Sequence, residues 1–484
     1  MILLTLQEIA LAINGKLMNS DDASLVVESV CTDTRNIQEN CLFIALQGAS
    51  FDAHHFLTQA QQAGASALII HGQNDSTLPA ILVKDTRIAL GLLSAYVKSK
   101  IKNLKCAAIT GSNGKTTTKE LLSAILSVHA QSLIQEVEST SINKATDNLV
   151  LATAGNFNND IGLPLTLLRL TENTAFAVVE LGANHQGEIA YTANLAKPDV
   201  ALVNNVMPAH LEGFGSIEGV AKAKGEIWAS LKAGGTGVVN ADAKFSDHYI
   251  KQLTELKRHI ITFSLSDSSA TVFASNILFD ELGYASFLLN YQQQQIAISL
   301  NIAGKHNVSN ALAAACLSIA LGCDLNTIKQ GLSLLNEVAG RVNSCKVNTH
   351  LTLIDDTYNA NSASLRAAID LLTQCHGTKT LIFADMGELG KYSEEEHRKV
   401  GQYAAEKSID NLFTVGNLSK FTHLSFSDVS TKQAIHFVDK SALKLYLETH
   451  LPQISNQKST ILVKGSRGTK MEEIVAFIKQ LKIG

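Results

Sequence analysis

The residues best suited to chemistry lie in the run CAAITGSNGKTTTKELL, residues 106–122. Gly111-Ser112-Asn113-Gly114-Lys115-Thr116 is a glycine-rich turn between a short apolar run and a stretch of helical composition. Such a turn aims successive backbone N–H groups and a helix N-terminus at one point, which suits a polyphosphate. Lys115 is placed to neutralise the outer phosphates, and the Thr116 hydroxyl to complete a Mg²⁺ shell. The longer pattern GxxxxGK[ST] has glycine where this chain has Ile109. ATP or GTP is the ligand this turn predicts; the alternative is an ordinary glycine turn before a helix.

Other reactive side chains are weaker signals taken singly. Glu180 falls near the end of the apolar run AFAVVEL, residues 175–181, with Gly182-Ala183-Asn184-His185 after it. A carboxylate there can hold Mg²⁺, because hard cations take few protein oxygens and keep phosphate and water as their other ligands. His210 alone reads as a solvated loop histidine, and Lys222 and Lys224 as two exposed lysines on a helix. The clusters Thr32-Asp33-Thr34-Arg35 and Phe51-Asp52-Ala53-His54-His55 read as loop decoration.

The elements that must carry these residues follow from periodicity. A chain of 484 residues is too long for one core. Residues 1–84 alternate helical and extended patterns, with strands near 41–46 and 67–70, and form a small α/β unit. A helix-like linker, 85–103, leads into a block ending at 338 in which strands alternate with helices, predicting a mainly parallel sheet. The polar stretch 131–147 is long for a connection and predicts a surface insertion with its own short helix. From 339 to 484 the pattern restarts as a doubly wound domain, with strands at 351–354, 381–384, 412–415 and 461–463. Polar residues follow these strands, at the edge where open α/β sheets bind ligands.

Composition narrows the classes further. Apolar residues make up 46% of the chain and charged ones 17%, as in well-packed soluble proteins. A net charge of −4 with no dense Lys/Arg run argues against a nucleic-acid surface. The seven cysteines are scattered without a CxxC pair, which fits reduced thiols in a cytoplasmic protein. The longest apolar segment, 311–322, is too short to span a bilayer and predicts a buried helix. The N-terminus lacks the basic start and apolar stretch of a secretory signal.

Taken together, the motifs resemble the Mur ligase family of ATP-dependent amide-bond-forming enzymes. The runs are TGSNGKTTTKE (110–120), NFNNDIGLPLTLL (156–168), ELGANHQGEI (180–189), NNVMPAHLEGFGSIEGVAKAKGEI (204–227), GKHNVSNALAA (304–314), Gly340-Arg341 and DDTYNANSASL (355–365). They stand in the family's order along nearly the whole chain, and the family's shorter loop accounts for Ile109. Within the family, DDTYNAN, ADMGELG (384–390) and LVKGSR (462–467) resemble the member that adds D-alanyl-D-alanine to UDP-N-acetylmuramoyl-tripeptide. A member adding diaminopimelate is expected to carry Asp-Asn-Pro-Arg where this chain has Val415-Gly416-Asn417-Leu418. Asn361-Ser362 stands where the family commonly has Asn-Pro.

The resemblance implies a three-domain fold: a UDP-sugar domain (1–84), a central P-loop-type ATP domain (85–338) and a C-terminal Rossmann-like domain (339–484) for the dipeptide. It implies that Thr110, Gly111, Ser112, Asn113, Gly114, Lys115, Thr116 and Thr117 hold ATP. Asn307 and Asn310 lie at the adenine, and Arg341 and Asp356 close the third domain over the nucleotide. Thr116 and Glu180 hold one Mg²⁺, His210 a second, and Lys224 carries a carbamate derived from CO₂. Substrate contacts fall to Thr34, Arg35, Asn158, Asn159, Asn184, His185, Tyr358, Asn359 and Asn361. The implied enzyme is a cytoplasmic monomer with small-molecule substrates and no nucleic-acid or membrane partner. The rivals are a family ligase adding another amino acid or extending folate, and a nucleotide-driven switch that makes no amide bond.

Overall fold

The computed structural model describes residues 1–481 apart from 19, 49, 74, 139–147, 209, 210, 336–339, 455 and 456. Three large sheets with helices packed against them build three α/β domains. The first has five strands in the order Lys16–Leu17, Ala80–Leu82, Ala65–Ile70, Cys41–Ile44 and Ser29–Cys31, parallel except for the first pair. The third has six, in the order Asn343–Lys346, Leu351–Asp356, Ser459–Lys464, Thr378–Ala384, Asn411–Val415 and Gln433–Phe437, antiparallel only at Asn343–Lys346.

Between them in sequence lies a sheet of nine strands. Six run parallel, in the order Val150–Ala152, Phe176–Glu180, Lys105–Thr110, Val200–Val203, Thr236–Asn240 and His259–Ser264. Val272–Phe279 joins parallel, and Tyr284–Tyr291 and Gln294–Ala303 extend it as an antiparallel meander that the sequence reading did not separate out. Lys105–Thr110, the strand before the glycine turn, has one later strand on each side. Its C-terminal end is therefore a topological switch point, where a crevice opens in α/β sheets.

The central strands read as unbroken apolar runs because both faces are covered, and side chains alternate between the two cores. Cys106 and Ala108 face one core while Ala107 and Ile109 face the other. Ile109 is thus a buried strand residue, which is why glycine is not needed there. The same alternation appears in the third sheet, with Leu381 and Phe383 on one side and Ile382 and Ala384 on the other.

One local expectation needs correction. Residues 131–138 are not part of a separate insertion: the helix after the glycine turn runs as Lys115–Glu138. No glycine or proline interrupts this span, and good helix formers such as Leu133 and Glu136 carry it on. The rest of the expected insertion, 139–147, lies outside the described residues. The 85–103 segment holds the α-helix Thr86–Lys100, capped by Asp85, whose carboxylate accepts from the N–H groups of Arg87 and Ile88. It buries Ala89, Leu90, Leu93 and Val97 in the core shared with Leu163, Leu167, Ile189 and Ala193. The expected helix is thus present, joining the first sheet to the strand Lys105–Thr110 and packed into this core.

Residues 311–317 lie in the buried helix Lys305–Ala320, and among the described residues no helix is long and apolar enough to cross a membrane. All seven cysteines are free thiols.

The helix Lys115–Glu138 is held by Lys305–Ala320 and by Leu325–Leu334. The second crossing depends on Gly331, where a Cβ would lie 2.3 Å from the Ile125 Cα. Helical backbone cannot yield locally as a side chain can. Gly331→Ala is expected to cost about 1–3 kcal/mol through overpacking, measured as a fall in unfolding free energy by chemical denaturation.

Candidate active site

The glycine turn crosses the end of the sheet with Gly111 at φ +152° and Gly114 at φ +76°. Gly114 has no room for a side chain: its Cβ would meet Asn310 Oδ1 at 2.4 Å and Asn204 Nδ2 at 2.5 Å. These asparagines also fix the turn. Asn205 Oδ1 accepts from the Asn113 N–H at 2.9 Å, while Asn205 Nδ2 and Asn204 Nδ2 donate to the Asn113 carbonyl at 3.1 and 3.0 Å. Asn204 Nδ2 also donates to Asn310 Oδ1, and Asn310 Nδ2 donates to Asn307 Oδ1. A chain of amides thus links the helix Lys305–Ala320 to the loop.

Lys115 opens the loop helix and donates to the Gly111 carbonyl at 2.8 Å. Burial pushes its pKa down, partly offset by the Glu180 carboxylate. The Thr116 hydroxyl donates to Glu180 Oε2, and Asn158 Nδ2 donates to Glu180 Oε1, both at 2.8 Å. Glu180 ends the strand Phe176–Glu180 and is 3% exposed. A carboxylate and a hydroxyl in contact at the mouth of a phosphate-type loop are hard donors suited to Mg²⁺. Among the described residues no three His, Cys, Asp or Glu gather into a metal cage. A cation here would therefore depend on phosphate and water for most of its shell.

Lys224 and Lys222 lie on the helix Ile217–Gly225, and the structure separates them. Lys222 is exposed, as read from composition, but Lys224 is only 3% exposed, and among the described residues no hydrogen bond or ion pair holds it. Burial first, and Lys115 second, hold its amine well below the ordinary lysine range.

The third domain closes the site from the other side. Arg341 Nη2 donates to the Thr116 hydroxyl at 3.0 Å, with the guanidinium 4.2 Å over the Tyr358 ring. Asn361 Nδ2 donates to Asn113 Oδ1 at 2.7 Å, and Asn113 Nδ2 returns a bond to Asn361 Oδ1 at 3.3 Å. Asp356 forms a buried ion pair with Lys464, which also donates to the Asn359 carbonyl. His306, facing this pair, has its pKa lowered by burial.

A cavity of about 560 Å³ joins these groups. Ser112, Asn113, Gly114, Lys115, Thr116, Thr117 and Glu180 line it from the loop side. Asn158, Asn159, Asn184, Lys224, Asn307 and Asn310 line it from the rest of the central domain, and Arg341, Asp356, Tyr358, Asn359 and Asn361 from the third. Gly111 does not line the cavity, and Thr110 turns into the sheet, its hydroxyl donating to the Leu181 carbonyl. His185 is outside the cavity, half of a surface pair with Glu188. Thr34 and Arg35 are not brought there either. Arg35 is bound to Asp33, whose carboxyl it pushes down to about 2. His210 lies outside the described residues.

Sequence reasoning assigned no role to Asn204, Asn205, Glu388, Lys464 or Arg467, although the last four line the cavity. Lys464 and Arg467 had a signal, since they follow a strand at the sheet edge. The two asparagines also follow a strand, Val200–Val203, but resemble ordinary turn residues.

The chain matches the Mur ligase middle domain over residues 109–318 and the Mur ligase glutamate ligase domain over residues 340–467. It is 42% identical to the UDP-N-acetylmuramoyl-tripeptide–D-alanyl-D-alanine ligase of Escherichia coli (strain K12), over 99% of both chains. The chain belongs to the Mur ligase family. It is 44% identical, over 99% of both chains, to the Haemophilus influenzae enzyme of the same name. A crystal structure of MurF from Acinetobacter baumannii superposes with a TM-score of 0.89 at 34% identity, covering 99% of each chain. In this Mur ligase the shape of the loop depends on Asn205. Asn205→Ala removes the acceptor of the Asn113 N–H, a part-buried hydrogen bond of a kind that contributes about 0.5–1.5 kcal/mol. Chemical denaturation of the variant is expected to show that loss.

Proposed function

We propose that the chain joins D-alanyl-D-alanine to the terminal carboxylate of UDP-N-acetylmuramoyl-tripeptide with ATP, giving ADP, phosphate and the pentapeptide precursor of peptidoglycan. One observation carries this reading beyond the likeness to named ligases. A single cavity places a phosphate-type loop, a buried carboxylate and a buried lysine against the strand ends of a second sheet. A nucleotide on one wall can then meet an amine on the other.

The chemistry that fits is activation followed by displacement. A carboxylate oxygen of the tripeptide attacks the γ-phosphorus, ADP leaves, and an acyl phosphate forms. The dipeptide amine attacks the acyl carbon, phosphate leaves, and the amine gives up its proton. The first step must bring an anion to a polyanion, so catalysis is chiefly positioning and charge neutralisation. Lys115, released from the Gly111 carbonyl, pairs with the β- and γ-phosphates. Thr116 and Glu180 would hold Mg²⁺ and His210 would serve a second ion, which when bound would supply positive charge to the phosphate oxygens. Arg341 lies against Thr116, adding a fixed cation at the phosphate end. Asn307 and Asn310 border the adenine, and Asp356 acts with Arg341 to close the third domain over the nucleotide. Asn158, Asn159, Asn184, Tyr358, Asn359 and Asn361 border the reacting substrates, while Thr34, Arg35 and His185 reach the substrate's outlying parts.

Lys224 is suited to become a carbamate. Its unprotonated amine can add CO₂ with loss of one proton, turning a disfavoured buried cation into an anion between cations. The domains divide the work as 1–84 for the UDP end, 85–338 for ATP and 339–484 for the dipeptide. The enzyme acts as a cytoplasmic monomer, where ATP and UDP-linked precursors are found.

Phosphate release is the test. It is expected to require both UDP-N-acetylmuramoyl-tripeptide and D-alanyl-D-alanine; release with a different amino acid points to another family activity, and release without either substrate to a nucleotide switch. Lys224→Ala is expected to lower kcat by about 10²–10³-fold, as for loss of one preorganised charge, with partial recovery on adding formate or acetate. Because burial lowers the Lys224 pKa, CO₂ uptake begins at lower pH than for an ordinary lysine and is lost as pH falls through that lowered value. A pH profile with added bicarbonate is expected to lose its acid limb in Lys224→Ala.

A further inference from the structure

Glu180 has a second set of partners behind the cavity wall. Its N–H donates to the Thr153 hydroxyl at 3.0 Å. The Thr153 carbonyl accepts from Lys119 Nζ at 2.6 Å. Lys119 is one turn after Lys115 on the loop helix, is 2% exposed, and its ammonium also pairs with Glu120. Neither Lys119 nor Thr153 lines the cavity.

This geometry departs from a regular sheet. Val150–Ala152 pairs with Phe176–Val178 in parallel register, and the Thr153 N–H still donates to the Val178 carbonyl. One further step of an evenly spaced parallel ladder gives the Glu180 N–H to the Thr153 carbonyl. Here the lysine holds that carbonyl instead, and the hydroxyl of the same residue substitutes as acceptor. The strand stops at Ala152, and the chain turns away to carry Asn158 over the carboxylate. A buried ammonium is a costly way to end a strand unless its placement matters elsewhere.

We propose that Lys119 is a positioning residue: through Thr153 it fixes the backbone of Glu180 and the turn that bears Asn158, and so sets the carboxylate for Mg²⁺. The inference rests on the proposed role of Glu180 as a Mg²⁺ ligand. Partners of a metal ligand that sit outside the coordination shell typically govern affinity by 10–100-fold.

The test uses the full-length protein and reads binding rather than turnover. Titration calorimetry with a non-hydrolysable ATP analogue gives the Mg²⁺ concentration at which half the nucleotide affinity gain is reached. Lys119→Met and Thr153→Val are each expected to raise that concentration about tenfold, while Thr153→Ser, which keeps the hydroxyl, stays at the wild-type value. A purely structural role would lower the melting temperature and leave the Mg²⁺ midpoint in place. Wild-type Mg²⁺ dependence in a folded Lys119→Met or Thr153→Val protein overturns the inference, and Thr153→Val decides if Lys119→Met does not fold. Glu180→Gln is the control: if it leaves the Mg²⁺ midpoint unchanged, it is the metal role of Glu180 that fails.

Discussion

A carboxylate taken out of water needs compensation from fixed donors, and the way Glu180 receives it constrains the rest of the site. Its oxygens accept from the first turn of the loop helix and from the connection carrying Asn158, and its N–H is held by the end of an edge strand. Three segments distant in sequence therefore share one small group of hydrogen bonds. The loop cannot shift without disturbing the carboxylate, and the carboxylate cannot turn without disturbing the loop.

Around that anchor the charges are arranged in tension. Burial lowers the proton affinity of Lys224, and the positive charge of Lys115 facing the same cavity lowers it further. Arg341 brings a further cation to the loop from the third domain. An anion entering this space relieves all three at once. Polyphosphate binding and the proposed conversion of Lys224 to an anion would draw on the same imbalance, which would account for a lysine tolerated where it has no partner among the described residues.

The parts legible in sequence were those whose signals are local. The glycine turn, its lysine and the following helix are contiguous, so composition alone located them. The alternation of strands and helices gave the doubly wound third domain because each parallel strand is an apolar run bounded by polar residues. Glu180 was legible because a charged residue closing a buried strand is conspicuous. Lys224 was marked by resemblance only, because which of two lysines on one helix faces inward depends on what that helix packs against. Asn204 and Asn205 escaped for a related reason, since their amides are used in reading the backbone of a loop about ninety residues away in sequence. The span 131–138 was misjudged because polarity was taken for irregularity, although uncharged and charged polar residues propagate helices well. Thr34 and Arg35 rested on resemblance alone, and the packing of their own sheet leaves them away from the cavity.

The contact between Asn113 and Asn361 has a bearing on turnover that its size does not suggest. Two carboxamides facing each other form a neutral seam between the nucleotide loop and the third domain. Over a reaction cycle the cavity gains a triphosphate, moves one phosphoryl group and loses two anionic products. A seam without formal charge is indifferent to those swings, so the docking surface keeps a constant character while the electrostatic load beside it rises and falls.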